Sequence, residues 1–280
     1  MNLRLPAPLQ VTELASTDST NRVLKELARA GAPAGTVVLA HRQTAGRGRS
    51  GKSFHSPEGG LYLSLLLRPG NAPVKSQNIT AAAAVAVCDA LEASGICRPE
   101  IKWVNDIYLQ GRKVCGILAE CALNPDGSAQ WIVLGLGLNL AAPAGGWPRE
   151  LEGIAGSLFD SPDRHRDQAL TERLLTGLWQ LCSVPEQPEI LDRYRAKNLV
   201  PGREITVLQG ENVRQAKALY IADDYRLAVE FSDGRTALLD SGEVSLKLCA
   251  KEGSHGIRAG KKPPVFRPGT GGSGLCSFLF

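Results

Sequence analysis

Residues 101–121 read IKWVNDIYLQGRKVCGILAEC, and their alternation of apolar and polar residues indicates the fold class. Apolar runs at residues 101–103, 107–109 and 114–121 predict three strands. Only residues 110–113 separate the second run from the third, and this spacing, around Gln110-Gly111-Arg112, is short enough for a hairpin. The stretch therefore predicts part of an antiparallel or mixed sheet with polar segments between its strands.

Helices and further strands flank this stretch on both sides. Capping signals and apolar spacing predict helices at residues 17–31, 80–94, 167–182 and 189–197. Asp18 or Ser19 is the expected cap of the first helix, and Thr80 that of the second. Strands are predicted at residues 37–40, 61–67 and 131–138. The strand at 61–67 is apolar except for Ser64, which indicates a central strand covered on both faces. These elements predict a mixed-sheet α/β (α+β) domain over residues 1–198.

The pattern changes after residue 200. Five short alternating strands separated by turn residues are predicted at residues 204–208, 216–221, 227–231, 236–239 and 243–248. So many short strands in so little chain predict a small β-barrel, for which we expect the bounds 199–249. Residues 250–280 are rich in glycine and proline without periodicity, so we expect disorder there.

Charge, cysteine content and hydropathy exclude several classes of protein. The chain of 280 residues has a net charge of +4, but residues 1–249 hold 27 basic and 27 acidic residues. A basic nucleic-acid-binding face is therefore not indicated. The seven cysteines form no CxxC pair, so we expect no bound metal, and reduced thiols indicate the cytoplasm. There is no apolar stretch of about 18 residues and no apparent signal peptide, so no membrane association is expected.

Residues 46–53 read GRGRSGKS and match the P-loop pattern GxxxxGKS/T. A P-loop needs a helix after its glycines, whereas Pro57 and two further glycines follow here. Three glycines with Arg47, Arg49 and Lys52 indicate instead a loop that binds phosphate without a following helix. A solvated basic turn is the alternative.

Four segments, in order, closely resemble the biotin protein ligases. They are STDSTN at 16–21, QTA at 43–45 before the GRGR loop, KWVNDI at 102–107 with RKVCGILAE at 112–120, and GLGLNL at 135–140. The resemblance covers roughly residues 10–248. It implies a catalytic domain with the fold of class II aminoacyl-tRNA synthetases and biotin ligases, followed by an SH3-like barrel. Val104, Phe54 and Lys52 depart from the Pro, Trp and Arg usual in the family.

The resemblance implies that neutral polar side chains bind the ureido ring of biotin. Ser19, Thr20, Asn21 and Gln43 supply the neutral donors and acceptors that such a ring needs. Helix capping is the alternative for the first three. The implied biotin site also includes Gly46, Arg47, Gly48, Arg49, Lys113 and Gly116. Glycines 135 and 137 either let the apolar part of a ligand approach the sheet or serve strand packing.

The resemblance assigns the charged residues to ATP and to the reaction. The implied catalytic residues are Arg49, Lys102, Asp106 and Lys113. Lys113 would hold the biotin carboxylate and the phosphate under attack, Arg49 would belong to a closing loop, and Asp106 would lie near the acceptor lysine. The implied ATP and adenylate contacts are Arg47, Arg49, Lys52, Asn105, Asn139 and Lys247. Without the resemblance, these charges would be read as surface charges.

The implied function is a two-step ligation. Biotin and Mg²⁺-bound ATP give biotinyl-5′-adenylate, which a lysine of a biotin carboxyl carrier protein domain then attacks. A lipoate-type protein ligase is an alternative, but it would not need the turn at residues 19–21. A biotin-responsive DNA-binding repressor would need about 60 residues of helix-turn-helix domain before the ligase. Because only about ten residues precede the resemblance, we expect no specific DNA binding. A silent binding module is disfavoured because Arg49, Asp106 and Lys113 are all present.

Overall fold

Two β-sheets, a mixed sheet of seven strands and an antiparallel sheet of five, organise the chain. The structure is a computed structural model that describes residues 1–69, 76–185, 187–209, 212–240 and 243–246. The expectations for Lys247 and for disorder at 250–280 concern residues outside these ranges.

The larger sheet contains the hairpin predicted at residues 110–112. Its strands are β1 (Gln10–Leu14), β2 (Thr36–Ala40), β3 (Gly60–Leu67), β4 (Glu100–Lys102), β5 (Asp106–Leu109), β6 (Arg112–Leu123) and β7 (Ala129–Asn139). Their spatial order is β1-β2-β3-β7-β6-β5-β4. β1 pairs with β2 in parallel, and the other neighbours pair antiparallel. β3 is central and buried at every position, so this prediction is confirmed. β1 has no counterpart in the predictions, because it is a largely exposed edge strand.

Four helices accompany the larger sheet, as predicted. They are α1 (Thr20–Arg29), α2 (Ser76–Glu92), α3 (Arg164–Cys182) and α4 (Pro188–Lys197). The prediction that Thr80 caps the second helix is wrong. The helix begins at Ser76, and Ile79 in its first turn is buried in the core, so packing extends the helix beyond its predicted start. None of the described helices is long and apolar enough to span a membrane.

The two faces of the larger sheet are covered differently. Leu61, Leu63 and Leu65 of β3 belong to the main core, together with residues of α2, α3 and α4. Leu66, the residue after Leu65, belongs to a smaller core on the opposite face, formed with Leu24 of α1. α1 therefore covers part of its face and leaves the rest available for a cleft.

The smaller sheet comprises the five strands predicted after residue 200. They are β8 (Glu204–Gln209), β9 (Asn212–Ile221), β10 (Leu227–Phe231), β11 (Thr236–Leu239) and β12 (Glu243–Leu246), in the order β11-β10-β9-β8-β12. All neighbours pair antiparallel, which is consistent with an SH3-like domain. The mixed α/β fold class is thus confirmed.

The smaller sheet contacts the turn between β4 and β5. Trp103 Nε1 donates to the carbonyl of Tyr225 at 2.9 Å, and the Tyr194 hydroxyl donates to the carbonyl of Val104 at 2.9 Å. The rings of Tyr194 and Tyr225 meet edge to face with their centres 5.6 Å apart. The turn that carries the KWVND residues is therefore held from behind by buried aromatic side chains.

Candidate active site

One cleft on the α1 face of the larger sheet gathers most of the predicted site residues. It encloses about 1020 Å³ of space, including its open mouth. The start of α1, the loop after β2, the β4–β5 turn and strands β6 and β7 all contribute to its walls. Its lining includes Ser19, Thr20, Asn21, Gln43, Arg47, Gly48, Arg49, Lys52, Lys102, Asn105, Asp106, Lys113 and Gly116.

Strand register builds the floor of the cleft from glycines. Gly116 of β6 lies opposite Gly137 of β7, and Gly135 of β7 lies opposite Ser64 of β3. A Cβ atom on Gly137 would lie 2.5 Å from the Phe54 ring, and one on Gly135 would lie 2.1 Å from Asn21 Oδ1. These glycines therefore let side chains of the protein itself lie flat on the sheet.

Asp18 orders the turn that begins α1. Its carboxylate accepts hydrogen bonds from the Ser19 amide at 2.7 Å and the Thr17 hydroxyl at 3.1 Å, and it forms an ion pair with Arg22. The hydrogen bond from Arg22 lowers the pKa of Asp18 to about 2. Ser19 occupies the N-cap position but makes no capping bond through its side chain. Ser19 lines the cleft, and its hydroxyl is not used to cap the helix.

The end of the cleft beside α1 is neutral, polar and buried. Gln43 Oε1 accepts from the Thr20 amide at 2.9 Å, and Gln43 Nε2 donates to Ser56 Oγ at 3.0 Å. Ser64 Oγ lies 2.8 Å from Thr20 Oγ1 and 2.6 Å from Asn21 Oδ1. Thr20, Asn21 and Ser64 are all less than 5% exposed. Such a network holds its members in fixed orientations.

A carboxylate anchors this network at the surface. Glu120 accepts from Asn21 Nδ2 at 2.8 Å and from Lys25 Nζ at 2.6 Å. Burial acts to raise the pKa of Glu120, but the hydrogen bonds from Lys25 and Asn21 outweigh it and lower the pKa. The anchor of the network is therefore ionised at neutral pH.

The opposite end of the cleft is cationic. Lys113 Nζ lies 2.6 Å from Asp106 Oδ1 and 5.7 Å from the centre of the Phe54 ring. Arg49 Nη1 donates to Asn105 Oδ1 at 3.4 Å, which ties the GRGR loop to the β4–β5 turn. The Lys113 and Arg49 side chains form an electrostatic environment suited to phosphates and carboxylates.

The GRGR loop has no helix after it. A single 3₁₀ turn (Arg49–Gly51) is followed by extended chain, and the Gly48 amide donates to the Lys52 carbonyl at 2.7 Å. This geometry excludes a P-loop, in which the phosphates meet the N-terminus of a helix. The prediction of a glycine-rich basic loop without a helix is confirmed.

Two of the predicted site residues that the structure describes are not found in the cleft lining. A Cβ atom on the buried Gly46 would lie 2.3 Å from Ser56 Oγ, so this glycine is needed for packing within the loop. Asn139 is 5% exposed and donates from Nδ2 to the Gly156 carbonyl at 2.9 Å, which holds the segment after β7. Lys247 lies outside the described residues.

Several lining residues were not assigned to the site from the sequence. They are Ser53, Phe54, Trp103, Ile117, Leu118, Leu136 and Val244. Val244 comes from the smaller sheet, and only tertiary packing places it here. Glu120 and Ser64, which orient Asn21, also went unassigned, although a lone serine in an apolar strand is a signal that could have singled out Ser64. No group of three His, Cys, Asp or Glu side chains among the described residues could hold a metal ion.

Comparison with known proteins agrees with this geometry. Residues 13–139 match the biotin/lipoate A/B protein ligase family. The chain is 33% identical over 252 residues to the biotin–(acetyl-CoA-carboxylase) ligase of Mycobacterium tuberculosis, covering 84% of this chain and 88% of that protein. It is 41% identical over 152 residues to the bifunctional ligase/repressor BirA of Bacillus spizizenii, covering 54% and 46% of the two chains. The chain thus aligns with about half the length of that relative.

Solved structures agree as well. The biotin protein ligase of Aquifex aeolicus, in complex with biotin and ATP, matches with a TM-score of 0.67 and 27% identity, covering 85% of this chain and 98% of that one. Fold and cleft together define the class of the biotin and lipoate protein ligases. Within that class, the chain belongs to the biotin protein ligase family.

Proposed function

We propose that this chain uses ATP to activate biotin as biotinyl-5′-adenylate and transfers the biotinyl group to a lysine of a biotin carboxyl carrier protein domain. The observation that carries the proposal is a single cleft that is neutral and polar at one end and cationic at the other. Biotin has a neutral ureido ring and a carboxylate, so it matches both ends at once. The names of the relatives, including a complex with biotin and ATP, support the same activity.

The neutral end suits the ureido ring because it offers no net charge. Thr20 and Gln43 present hydroxyl and carboxamide groups that pair with ring N–H and C=O groups. Lipoate, with an apolar dithiolane ring, would leave these buried groups unpaired, at a cost of about 1–3 kcal/mol each. This cost favours biotin over lipoate.

In the first step, an oxygen of the biotin carboxylate attacks the α-phosphorus of ATP, and pyrophosphate leaves. Lys113 reduces the repulsion between the two anions as they approach. ATP enters as its Mg²⁺ complex, so the metal arrives with the substrate. Arg47, Arg49 and Lys52 in the loop bind phosphate, and the loop shields the adenylate from water.

In the second step, the amine of the carrier lysine attacks the acyl carbon of the adenylate, and AMP leaves. The attacking lysine must lose a proton to become nucleophilic. We assign to Asp106, which lines the cleft and pairs with Lys113, the role of accepting this proton or orienting the amine. We place the reaction in the cytoplasm, which supplies ATP and keeps thiols such as the buried Cys88 and Cys115 reduced.

Incubation of the purified chain with biotin, MgATP and a carrier domain, followed by mass measurement of the carrier, tests the proposal. We expect the carrier to gain one biotinyl group, and a carrier with its acceptor lysine changed to arginine to gain none. Replacing biotin by lipoate provides the second control. Attachment of lipoate but not biotin, or an unmodified carrier with biotin present, would show that the proposal is wrong.

A further inference from the structure

A continuous chain of hydrogen bonds runs from the surface ion pair to the neutral end of the cleft. It begins at Lys25 and Glu120, whose side chains are 15% and 27% exposed, and passes through Asn21 and Ser64 to Thr20. Gly135 leaves the space in which the Asn21 carboxamide lies. The order of donors and acceptors along this chain decides what Thr20 offers to a ligand.

The ionised carboxylate fixes that order. Glu120 can only accept, and so can the more distant Leu118 carbonyl at 3.4 Å, so Asn21 turns its NH₂ group toward these two acceptors and its oxygen toward Ser64. The single Ser64 proton then goes to Asn21 Oδ1, and the 2.8 Å contact between Ser64 and Thr20 needs the proton of Thr20. Thr20 Oγ1 therefore keeps its lone pairs. Gln43 Oε1 accepts from the Thr20 amide at 2.9 Å and lies 3.2 Å from Thr20 Oγ1, but it keeps one lone pair because the Thr20 proton is used on Ser64.

We propose that Glu120 is a positioning residue that directs this chain so that Thr20 and Gln43 meet the ligand as hydrogen-bond acceptors. The ligand group that fits is a ring N–H. This inference rests on the proposed function, because it concerns how the ureido ring is recognised. Glu120 acts through Asn21 and Ser64 and does not itself line the cleft.

The substitution Glu120→Gln should reverse the chain. A glutamine has one acceptor oxygen where the carboxylate has two, and the Lys25 ammonium takes that oxygen. The glutamine NH₂ group then faces Asn21, which must turn its oxygen outward and its NH₂ group toward Ser64. Ser64 then donates to Thr20, and Thr20 donates to Gln43 at the 3.2 Å contact. Thr20 Oγ1 and Gln43 Oε1 therefore each lose a lone pair that could accept from the ligand. We expect the KM for biotin to rise about tenfold or more, with kcat and the KM for ATP changed less than threefold.

A second substitution should restore the original direction. In Glu120→Gln/Lys25→Met the glutamine oxygen is released from the ammonium and can accept from Asn21 again. We therefore expect the double variant to bind biotin more tightly than Glu120→Gln alone. If the ion pair of Lys25 and Glu120 contributed only to the stability of the fold, the double variant would bind biotin no more tightly than Glu120→Gln. Glu26→Gln, on the exposed side of α1 beside Arg22, is the matched control and should leave biotin binding unchanged.

An analogue supplies an independent readout. A biotin analogue with a ring N–H replaced by oxygen offers no proton to Thr20 or Gln43, so the intact chain should bind it at least tenfold more weakly than biotin. Glu120→Gln should discriminate less between the two ligands. Calorimetric titration measures both affinities, and thermal unfolding checks that each variant is folded.

The outcomes separate this inference from the proposed function. If the unsubstituted chain fails to bind biotin, the proposed function is wrong and the inference falls with it. If it binds biotin, but a folded Glu120→Gln variant keeps normal affinity or Lys25→Met gives no recovery, the inference alone is wrong.

Discussion

At the residue scale, the contact between Lys113 and Asp106 is the centre of the charged end of the cleft. The two groups lie 2.6 Å apart and are 27% and 20% exposed, so neither is fully desolvated. Because both side chains are partly solvated, the Lys113 ammonium can move from Asp106 to a ligand phosphate with little further cost in desolvation. We propose that an incoming anionic ligand takes the place of Asp106 beside Lys113.

Lys113→Ala should be the most damaging single substitution for adenylate formation. At about 4 Å and an effective dielectric constant near 20, two unit charges interact by roughly 4 kcal/mol. Allowing for solvent screening, we expect the rate of adenylation to fall about a hundredfold or more. Pyrophosphate release measures this rate.

Lys197→Ala, which removes a lysine from a remote ion pair with Glu92, is the control and should not slow adenylation. Binding of an uncharged biotin amide should change little in Lys113→Ala, because the neutral end of the cleft is intact. Normal pyrophosphate release with lost affinity for the amide would contradict the role of Lys113.

Arg49→Gly should loosen the GRGR loop without abolishing adenylation. The substitution removes the hydrogen bond to Asn105 that ties the loop to the β4–β5 turn. We expect biotinyl-adenylate to escape and to label lysines of bystander proteins, which blotting for biotin detects. Arg42→Gly, at an exposed position before the loop, should release no more adenylate than the unsubstituted chain. A variant that forms no adenylate would place Arg49 in the first step instead.

At the scale of single elements, the glycines of β6 and β7 show why a strand pattern can be interrupted. Glycine weakens a strand because its backbone loses more conformational entropy on folding than that of other residues and because it has no side chain to pack. Here Phe54 and Asn21 fill the space above Gly137 and Gly135, so the loss of strand side chains is offset by contacts from the loop and α1.

Gly137→Ala should lower the free energy of unfolding by about 1–3 kcal/mol, because the new Cβ atom would lie 2.5 Å from the Phe54 ring. Displacing this ring also disturbs Lys113, which lies above it, so biotin affinity should fall. Urea denaturation and calorimetric titration measure the two effects. Gly145→Ala has nothing within 4 Å and should be nearly neutral. Equal stability of the two variants would argue against the packing role of Gly137.

At the scale of the whole molecule, the smaller sheet supports the cleft from behind the β4–β5 turn. Val244 of β12 lines the cleft itself, and the carbonyl of Tyr225 accepts a hydrogen bond from Trp103. The turn that carries Lys102, Asn105 and Asp106 thus depends on residues more than a hundred positions later in the chain. The division into domains at 1–198, 199–249 and 250–280 stays a prediction.

Tyr225→Ala should destabilise the protein by about 3 kcal/mol, because it removes a buried ring that packs against Tyr194. Adenylation should also slow, since the β4–β5 turn loses part of its backing. Tyr220→Ala, at a side chain that is 57% exposed in the same sheet, should change stability by less than about 0.5 kcal/mol. If Tyr225→Ala lowered stability with normal adenylation kinetics, the smaller sheet would not support the turn.

The sequence by itself determined the four helices, all strands except β1, and the family. The run at residues 61–67 predicts a buried central strand because apolar patterning is local, and the structure buries all of it. The GRGR and KWVND segments indicated the biotin protein ligases because the two motifs together, in this order, resemble that family. The sequence did not determine where the second helix begins. Thr80 was predicted as its cap, but α2 begins at Ser76 because Ile79 is buried in the core.

Only the tertiary structure decided which residues share the cleft and which support it. The ligand contacts predicted for Asn139 and Gly46 stay predictions, and the structure shows Asn139 donating to the Gly156 carbonyl and Gly46 packed against Ser56. Glu120 is nearly a hundred residues from Asn21, and the packing of α1 on the larger sheet brings Asn21 Nδ2 within 2.8 Å of the Glu120 carboxylate. Contacts over such separations depend on how sheets and helices pack together, which local periodicity does not encode.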